Sequence, residues 1–573
     1  MNKHHLDIDQ LSVSIGQASG KGRKAVNQDA HGARVPVGQQ ALLKGITFAL
    51  ADGISTSDVS HIAAETAVKS MLTDYYATPE SWTARTAAST VISATNSWLR
   101  AQTAGSNGGD IDRGYVCTLA AMILKARQAH LFHVGDSRIW RVSGRALEQL
   151  TEDHQSMGML SAALGARDIA ELSYKSIPLE QGDVYVLTTD GVHEFWPPAD
   201  VLELIAGGDL QAAADGIVTA AHSAGSPDNM TVQIVRIDSL PIGQSGINTD
   251  DLTLPSPHIP NAGDILDGHE ILRSLHGNHR SHLFLAKAPD GMKVALKIPG
   301  TDTRDDPEQL RRFLLEEWIA RRLSNPHLLS APSAQEAPRT YLYSVTDYIE
   351  GQTLRQWMAD NPHPSLEQVR DIIEQIIKGL RSFHRREMLH QDIRPENIMI
   401  TDDGVVKLID FGSAYVAGVQ EAAPFPEEAG ILGTYQYTAP EYFSNEAVSF
   451  RSDMFSVGVI AYEMLTGSLP YGTQIAKIRS PRDRMALRYR TAQNEARAVS
   501  QWMDEALHRA VHADPYKRYD TFSALLMDLR TPSVAYQNRS ARPLIERNPL
   551  KFWQGLSLVL AIICLALAIQ VSK

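Results

Sequence analysis

Residues 390–397 read His-Gln-Asp-Ile-Arg-Pro-Glu-Asn, and Asp410-Phe411-Gly412 follows them. Working outward, Val294-Ala295-Leu296-Lys297 is a short strand pattern that ends in a lysine. The stretch from Phe313 to Leu323 has the periodicity of an amphipathic helix and carries Glu316. A strand lysine and a helix glutamate can pair and hold each other in place, although each alone would be ordinary surface charge. Downstream come Gly433-Thr434, Ala439-Pro440-Glu441, Asp453 and Arg518. It is this order and spacing, not any one residue, that restricts the fold.

The set resembles the protein-kinase fold of the serine/threonine type across about residues 267–529. The resemblance implies two lobes of α+β structure and ATP with Mg²⁺ as cofactors. Phosphoryl transfer to a hydroxyl is mostly positioning and charge stabilisation. Asp392 would then orient the acceptor, Arg394 would stand where the family has a lysine and meet the γ-phosphate, and Asn397 and Asp410 would hold Mg²⁺. Lys297, paired with Glu316, would bind the α- and β-phosphates. The family's glycine-rich loop is eroded: His276, Asn278 and Ser281 fall at the glycine positions, and a Cβ there keeps backbone amides from phosphates. Asn278 and Ser281 are nonetheless the expected nucleotide contacts. Gln391 replaces the arginine that in many relatives pairs with an activation-loop phosphate, so switching by such a phosphate is not expected. The eroded loop leaves a second reading open, a pseudokinase that binds nucleotide and regulates its neighbour.

The first half has a different grammar. Ile46–Asp52 is an apolar run that stops at Asp52-Gly53, Val184–Thr189 stops at Asp190-Gly191, Ala129–Val134 stops at Gly135-Asp136, and Asp228 precedes the run Val232–Ile237. Each reads as a buried strand with a carboxylate at one end. Asp-Gly after a strand is also a common hairpin turn, but four such acids can converge on one rim. Clustered carboxylates repel unless hard cations neutralise them, and oxygen-only donors suit Mg²⁺ or Mn²⁺.

Together with Arg23-Lys24-Ala25-Val26-Asn27-Gln28-Asp29, the His61-to-Glu65 stretch and Leu150–His154, these residues resemble the metal-dependent type 2C protein serine/threonine phosphatases. The resemblance implies an αββα sandwich with two or three Mg²⁺ or Mn²⁺ ions at one end of the sheets. A binuclear site of this kind activates water for in-line attack. Asp52 would bridge the metals, Gly53 would lend its carbonyl, Asp190 and Asp228 would complete one set with Asp29 nearby, and Asp136 would hold a looser third ion. Arg23 would grip phosphate and His61 would act as general acid. Gln28 stands where many members have Glu, so weaker binding of the second metal is expected.

The chain has 573 residues, enough for two to four domains. Its net charge of −12 argues against nucleic acid as a partner, and two cysteines exclude a disulfide framework. The expected organisation is a phosphatase domain over 8–238, a linker over 239–262, a kinase domain over 263–530, a basic juxtamembrane linker over 531–551 and a transmembrane helix over 552–571. The last segment, FWQGLSLVLAIICLALAIQV, has no charge in 20 residues, about the thickness of a bilayer core as a helix. A buried or dimer-forming terminal helix is the alternative. The upstream Arg539, Arg542, Arg547 and Lys551 place both domains on the cytoplasmic face, of a bacterial inner membrane by style. Read as a flexible coil, the 239–262 linker would let the phosphatase act on its own kinase domain as well as on other phosphoproteins.

Overall fold

Period-2 alternation in the first half sorts side chains into two layers. Along strand Ile46–Asp52, Ile46, Phe48 and Leu50 join a core between two sheets, while Ala49 and Ala51 face a helical layer. Strand Leu119–Lys125 repeats the split, with Ala120, Met122 and Leu124 inward and Leu119, Ala121 and Ile123 toward helices. Small residues on the helix-facing side let Ser60–Leu72 approach the sheet closely. The computed structural model describes residues 11–106, 109–156, 159–241, 251–332, 339–423, 436–444, 446–493, 499–540 and 549–571.

Two five-stranded antiparallel sheets stack face to face. One runs Ser12–Gly20, Met230–Ser239, Val184–Thr188, Arg138–Ser143, Ala146–Gln149, and the other Ser173–Pro178, Gln128–Val134, Leu119–Lys125, Ile46–Asp52, Asp29–Arg34. Helices Pro198–Ala206 and Leu210–Ser223 cover the first, and Ser60–Leu72 with Ala84–Gly105 cover the second. This is the expected αββα sandwich. Its register sets Asp29 directly opposite Asp52.

The second half is two-lobed, as expected. Its small lobe is a five-stranded antiparallel sheet from Ile265 to Asp347, with helix Pro307–Arg322 against it. Asp306 starts that helix by accepting from the Glu308 and Gln309 amides, with Pro307 at the first position. The large lobe is built around Leu366–His384, opened by a reciprocal Ser365–Gln368 capping box, and Phe450–Thr466. Val369, Ile373, Ile376, Ile377, Leu380 and Phe383 recur at helical spacing and are buried in one core.

The linker departs from the flexible coil expected of it. Leu252 and Leu254 pack beside Phe313 and Leu314, and Leu342 donates its amide to the Pro255 carbonyl at 3.0 Å, so the second part of 239–262 is laid onto the small lobe. Residues 242–250 lie outside the described residues. The two halves also touch directly: Leu43 of the sandwich, fully buried, belongs to the large lobe's core.

At the far end a helix runs Pro549–Val571. Among the described residues no helix is long and apolar enough to cross a membrane, so the transmembrane reading of 552–571 finds no support here. Arg542 and Arg547 of the basic linker lie outside the described residues, as do Gly433-Thr434.

Candidate active sites

In the sandwich, the strand ends converge as the pattern of exit acids implied. Asp52 leaves its strand beside Thr118, which donates its amide to the Asp52 carbonyl at 2.8 Å and accepts the Asp52 amide on its hydroxyl at 3.0 Å. Gly53 is required sterically: a Cβ there would lie 2.7 Å from the Ser60 backbone. Asp29 is held by two hydroxyls, Thr231 at 2.6 Å and Thr189 at 3.0 Å, both on its Oδ2. Its Oδ1 is buried without a partner. Burial raises Asp29 to about 7, and burial together with Asp29, Asp190, Asp228 and Asp136 raises Asp52 well above the carboxylate range. Burial and Asp228 raise Asp190, and burial and Asp190 bring Asp136 to about 6. Lys24 supplies a cation, paired with Asp228 and donating to Ser55 at 2.5 Å.

Five acids against one lysine form a site that lacks positive charge. The orphaned Asp29 oxygen and the oxygen-only donors Asp52, Asp190, Asp228 and the Gly53 carbonyl suit Mg²⁺ or Mn²⁺. Among the described residues no group of three or more such side chains is already drawn into a ligand cluster. When bound, the ions would supply an activated water. Arg23 is exposed, on the loop before Asp29, free to reach an anion from solvent. His61 sits in the first turn of Ser60–Leu72 with a buried, unpartnered Nδ1.

Gln28 has a role that the sequence did not reveal. Its amide nitrogen donates to the Ser57 carbonyl at 2.6 Å and the Ser60 hydroxyl at 2.7 Å, pinning the loop that follows Gly53. An amide can donate both bonds and a carboxylate cannot. Asn229 is likewise structural: its side chain accepts the Gln28 amide at 2.9 Å and donates to the Lys21 and Val26 carbonyls, shaping the Arg23 loop.

In the second half Lys297 Nζ meets Glu316 Oε2 at 2.6 Å. Burial disfavours the charged lysine, but Glu316 and Asp410 outweigh it and hold Lys297 protonated. Asn397 donates to the Asp392 carboxylate at 2.8 Å and its carbonyl at 3.0 Å, which fixes the carboxylate's direction. Burial and the neighbouring Asp410 raise Asp392. Asp410 takes a left-handed backbone (φ 62°), while Phe411 is fully buried against Phe383 and His390. Asp453 receives the His390 and Gln391 amides at 3.0 Å and His384 at 2.7 Å, bracing the 390–397 loop. Arg394 bonds Glu396 at 2.9 Å. These groups can position a phosphate chain and an acceptor hydroxyl.

The loop at the glycine-loop position is a closed turn. Between strands His269–Gly277 and Ser281–Lys287, Asn278 Oδ1 accepts the Arg280 amide at 2.8 Å and the Ser281 amide at 2.9 Å. The amides that would face phosphates are bonded inside the turn. The tip is also tied down, Gly300 donating to the Arg280 carbonyl at 2.8 Å and Asp302 to that of His279 at 2.9 Å. As found, Asn278 Oδ1 closes the loop on these two amides, while the Asn278 side-chain nitrogen lies at the exposed tip, 3.3 Å from His276 Nε2.

Comparison with known proteins places both halves in a class. Residues 17–225 match the family described as Protein phosphatase 2C, and residues 279–528 match that described as Protein kinase domain. The chain thus joins a protein phosphatase 2C domain to a protein kinase domain of the Hanks serine/threonine type. Among curated relatives, the serine/threonine-protein kinase PrkC of Bacillus subtilis is 28% identical over 286 residues, 49% of this chain and 43% of that protein. The chain spans about two fifths of the length of the first curated relatives it matches. Among solved structures, the Mycobacterium tuberculosis PknI kinase domain is 24% identical with a TM-score of 0.38, covering 48% of this chain and 100% of that one. The catalytic domain of the phosphatase PstP, in complex with two manganese ions, is 21% identical with a TM-score of 0.34, covering 40% and 99%.

Proposed function

We propose that this chain is a bifunctional protein serine/threonine kinase and metal-dependent phosphoprotein phosphatase, acting on a shared protein target, on itself, or on both. The observation that carries the reading is that each half assembles its own constellation. Lys297–Glu316 with Asp392, Asn397 and Asp410 would serve ATP and Mg²⁺. The cation-deficient cluster of Asp29, Asp52, Asp190 and Asp228 would serve two Mn²⁺ or Mg²⁺ ions. Arg23 would bind the substrate phosphate, His61 would donate a proton, and Asp136 would take a third, looser ion.

The test uses the full chain with Asp52→Asn, incubated with radiolabelled ATP and Mg²⁺, because the phosphatase can then no longer erase label. Label on the chain or on a generic protein substrate, abolished by adding Asp392→Asn, is expected. No label on either refutes the kinase half. Failure of the Asp392→Asn chain to release phosphate from a phosphoprotein with Mn²⁺ refutes the other half. The closed Asn278 turn favours a second reading, a pseudokinase that binds nucleotide and regulates the phosphatase, and the same experiment separates the two.

The uncharged run over 552–571 supports a tether, with both catalytic domains on the cytoplasmic face of a bacterial inner membrane. Retention in the membrane pellet through an alkaline carbonate wash is expected, and release to the supernatant overturns the tether.

A further inference from the structure

The contact between the two halves falls on one functional segment of the kinase. Five residues beyond Gly412 lies the short helix Ala417–Ala422, and it rests on the sandwich. Gly418 donates its amide to the Ser81 carbonyl at 2.8 Å, and Lys125 Nζ donates to the Gly418 carbonyl at 2.9 Å and to Glu421 Oε2 at 2.8 Å. The Lys125 side chain is wholly buried. Glu421 also accepts the Ala84 amide at 2.8 Å. Glu387 accepts the Thr83 amide at 2.8 Å and the Thr86 hydroxyl at 2.6 Å. Two kinase carboxylates thereby cap the N-terminus of the sandwich helix Ala84–Gly105, where negative charge is favoured. Arg322–Glu80 at 2.6 Å and Trp82 Nε1 on the Arg385 carbonyl at 3.1 Å widen the contact.

The fit requires a glycine at 418. A Cβ there would lie 2.5 Å from the Trp82 carbonyl oxygen and 2.7 Å from that of Glu80. Within a helix, alanine is otherwise the better residue, so the glycine serves the contact and not the helix. The docked helix directly continues strand Tyr415–Val416, which pairs with Met388–Leu389 and so leads into the Asp392 loop. In this arrangement Lys297–Glu316 is formed and Phe411 is buried. Gln391, a neutral amide, offers no cation for a phosphate-based latch on the same segment.

We propose that the phosphatase domain has a second, non-catalytic role: by docking on residues 417–422 it orders the kinase segment that follows Asp410-Phe411-Gly412 and sustains kinase activity. Lys125 closes strand Leu119–Lys125 at the end opposite Thr118 and Asp52, about 20 Å away at 3.3 Å per residue. The docking face and the carboxylate rim are therefore separate, and the rim stays open to substrate. The role rests on the kinase reading above, but the docking can be measured without it.

The experiment compares the full wild-type chain with Gly418→Ala and Glu421→Gln. Hydrogen exchange of peptides covering 80–86 and 417–423 reads docking, kinase assays read its consequence, and p-nitrophenyl phosphate with Mn²⁺ reads the phosphatase. Faster exchange in both peptides is expected, with kinase turnover down about 5- to 150-fold, the usual range of a site-to-site coupling, and phosphatase turnover unchanged. Loss of protection across the whole kinase domain would mark misfolding of one variant, and the other then decides. Wild-type exchange in both variants overturns the docking. Faster exchange with unchanged or raised kinase turnover overturns the sustaining role, and a wild-type chain inactive as a kinase removes that role while the exchange still decides the docking.

Discussion

Asp29 and Asp52 face each other as register partners on neighbouring antiparallel strands. Like charges directly opposite on a sheet destabilise it, and both carboxyls are raised by burial. A fold that keeps this pair is one that gains from a cation.

Removal of divalent ions should therefore do two things at once. Chelation abolishes phosphatase turnover, and Mn²⁺ or Mg²⁺ raises the melting temperature of the sandwich. Thr231, which donates to Asp29 at 2.6 Å, aims that carboxylate. Thr231→Val keeps the shape, removes the donor and should weaken metal affinity about 10- to 100-fold, as loss of an outer hydrogen bond to a ligand does. Isothermal titration with Mn²⁺ measures it, and unchanged affinity refutes the role given to Thr231.

Much of this site was legible because strands announce themselves. An apolar run ending in Asp-Gly reads as a strand with an acid at its exit or as a hairpin turn, so Asp52 and Asp190 stand out as candidates only through the recurrence of the pattern and the resemblance it completes. Partners set by long-range register were not legible. Nothing local to Thr231 says that its hydroxyl meets Asp29, and nothing local to Gln28 says that its amide holds Ser57 and Ser60. The Lys125–Glu421 contact joins positions 296 residues apart, and only the packed structure reveals why Gly418 is a glycine.

Glu441 and Arg518 form a fully buried pair at 2.7 Å in the large lobe. Arg518→Leu would strand the carboxylate, and removing one partner of such a pair costs about 3–5 kcal/mol. Burial opposes the Glu441 charge, but Arg518 and Ser452 outweigh it and hold the carboxyl below its usual range. A depressed carboxyl contributes stability that is complete above its unfolded value and is lost as pH falls through the folded one. The kinase lobe should thus lose stability on acidification below about pH 4.5, and the Arg518→Leu chain should lack Glu441's share of that slope. Thermal unfolding across pH gives both readings, and equal melting temperatures for the two chains refute the assignment.

Glu316 orients Lys297 across a 2.6 Å contact. Glu316→Gln keeps the size and a hydrogen bond but frees the lysine from its charge partner. Kinase turnover should fall about a hundredfold, the scale of losing one preorganised electrostatic contact. The lowered turnover should come without loss of the folded small lobe, checked by circular dichroism. Turnover within twofold of wild type would mean that Lys297 is positioned by something else.

Asn278 spends its side-chain oxygen on the amides of Arg280 and Ser281. Those amides are then unavailable to a phosphate chain, so nucleotide binding must break the turn's own bonds. Glycine at this position removes the internal acceptor and also the Cβ that limits approach of the backbone. Two released donors, at about 1 kcal/mol net each, predict that Asn278→Gly tightens ATP binding by roughly ten- to thirtyfold, the flexibility of glycine offsetting part of the gain. The direction is the informative part, because a loop whose asparagine already served the nucleotide would bind more weakly after the change. Titration of the full chain with a fluorescent ATP analogue and Mg²⁺ distinguishes the two, and weaker binding by Asn278→Gly would show that the asparagine contacts the nucleotide directly.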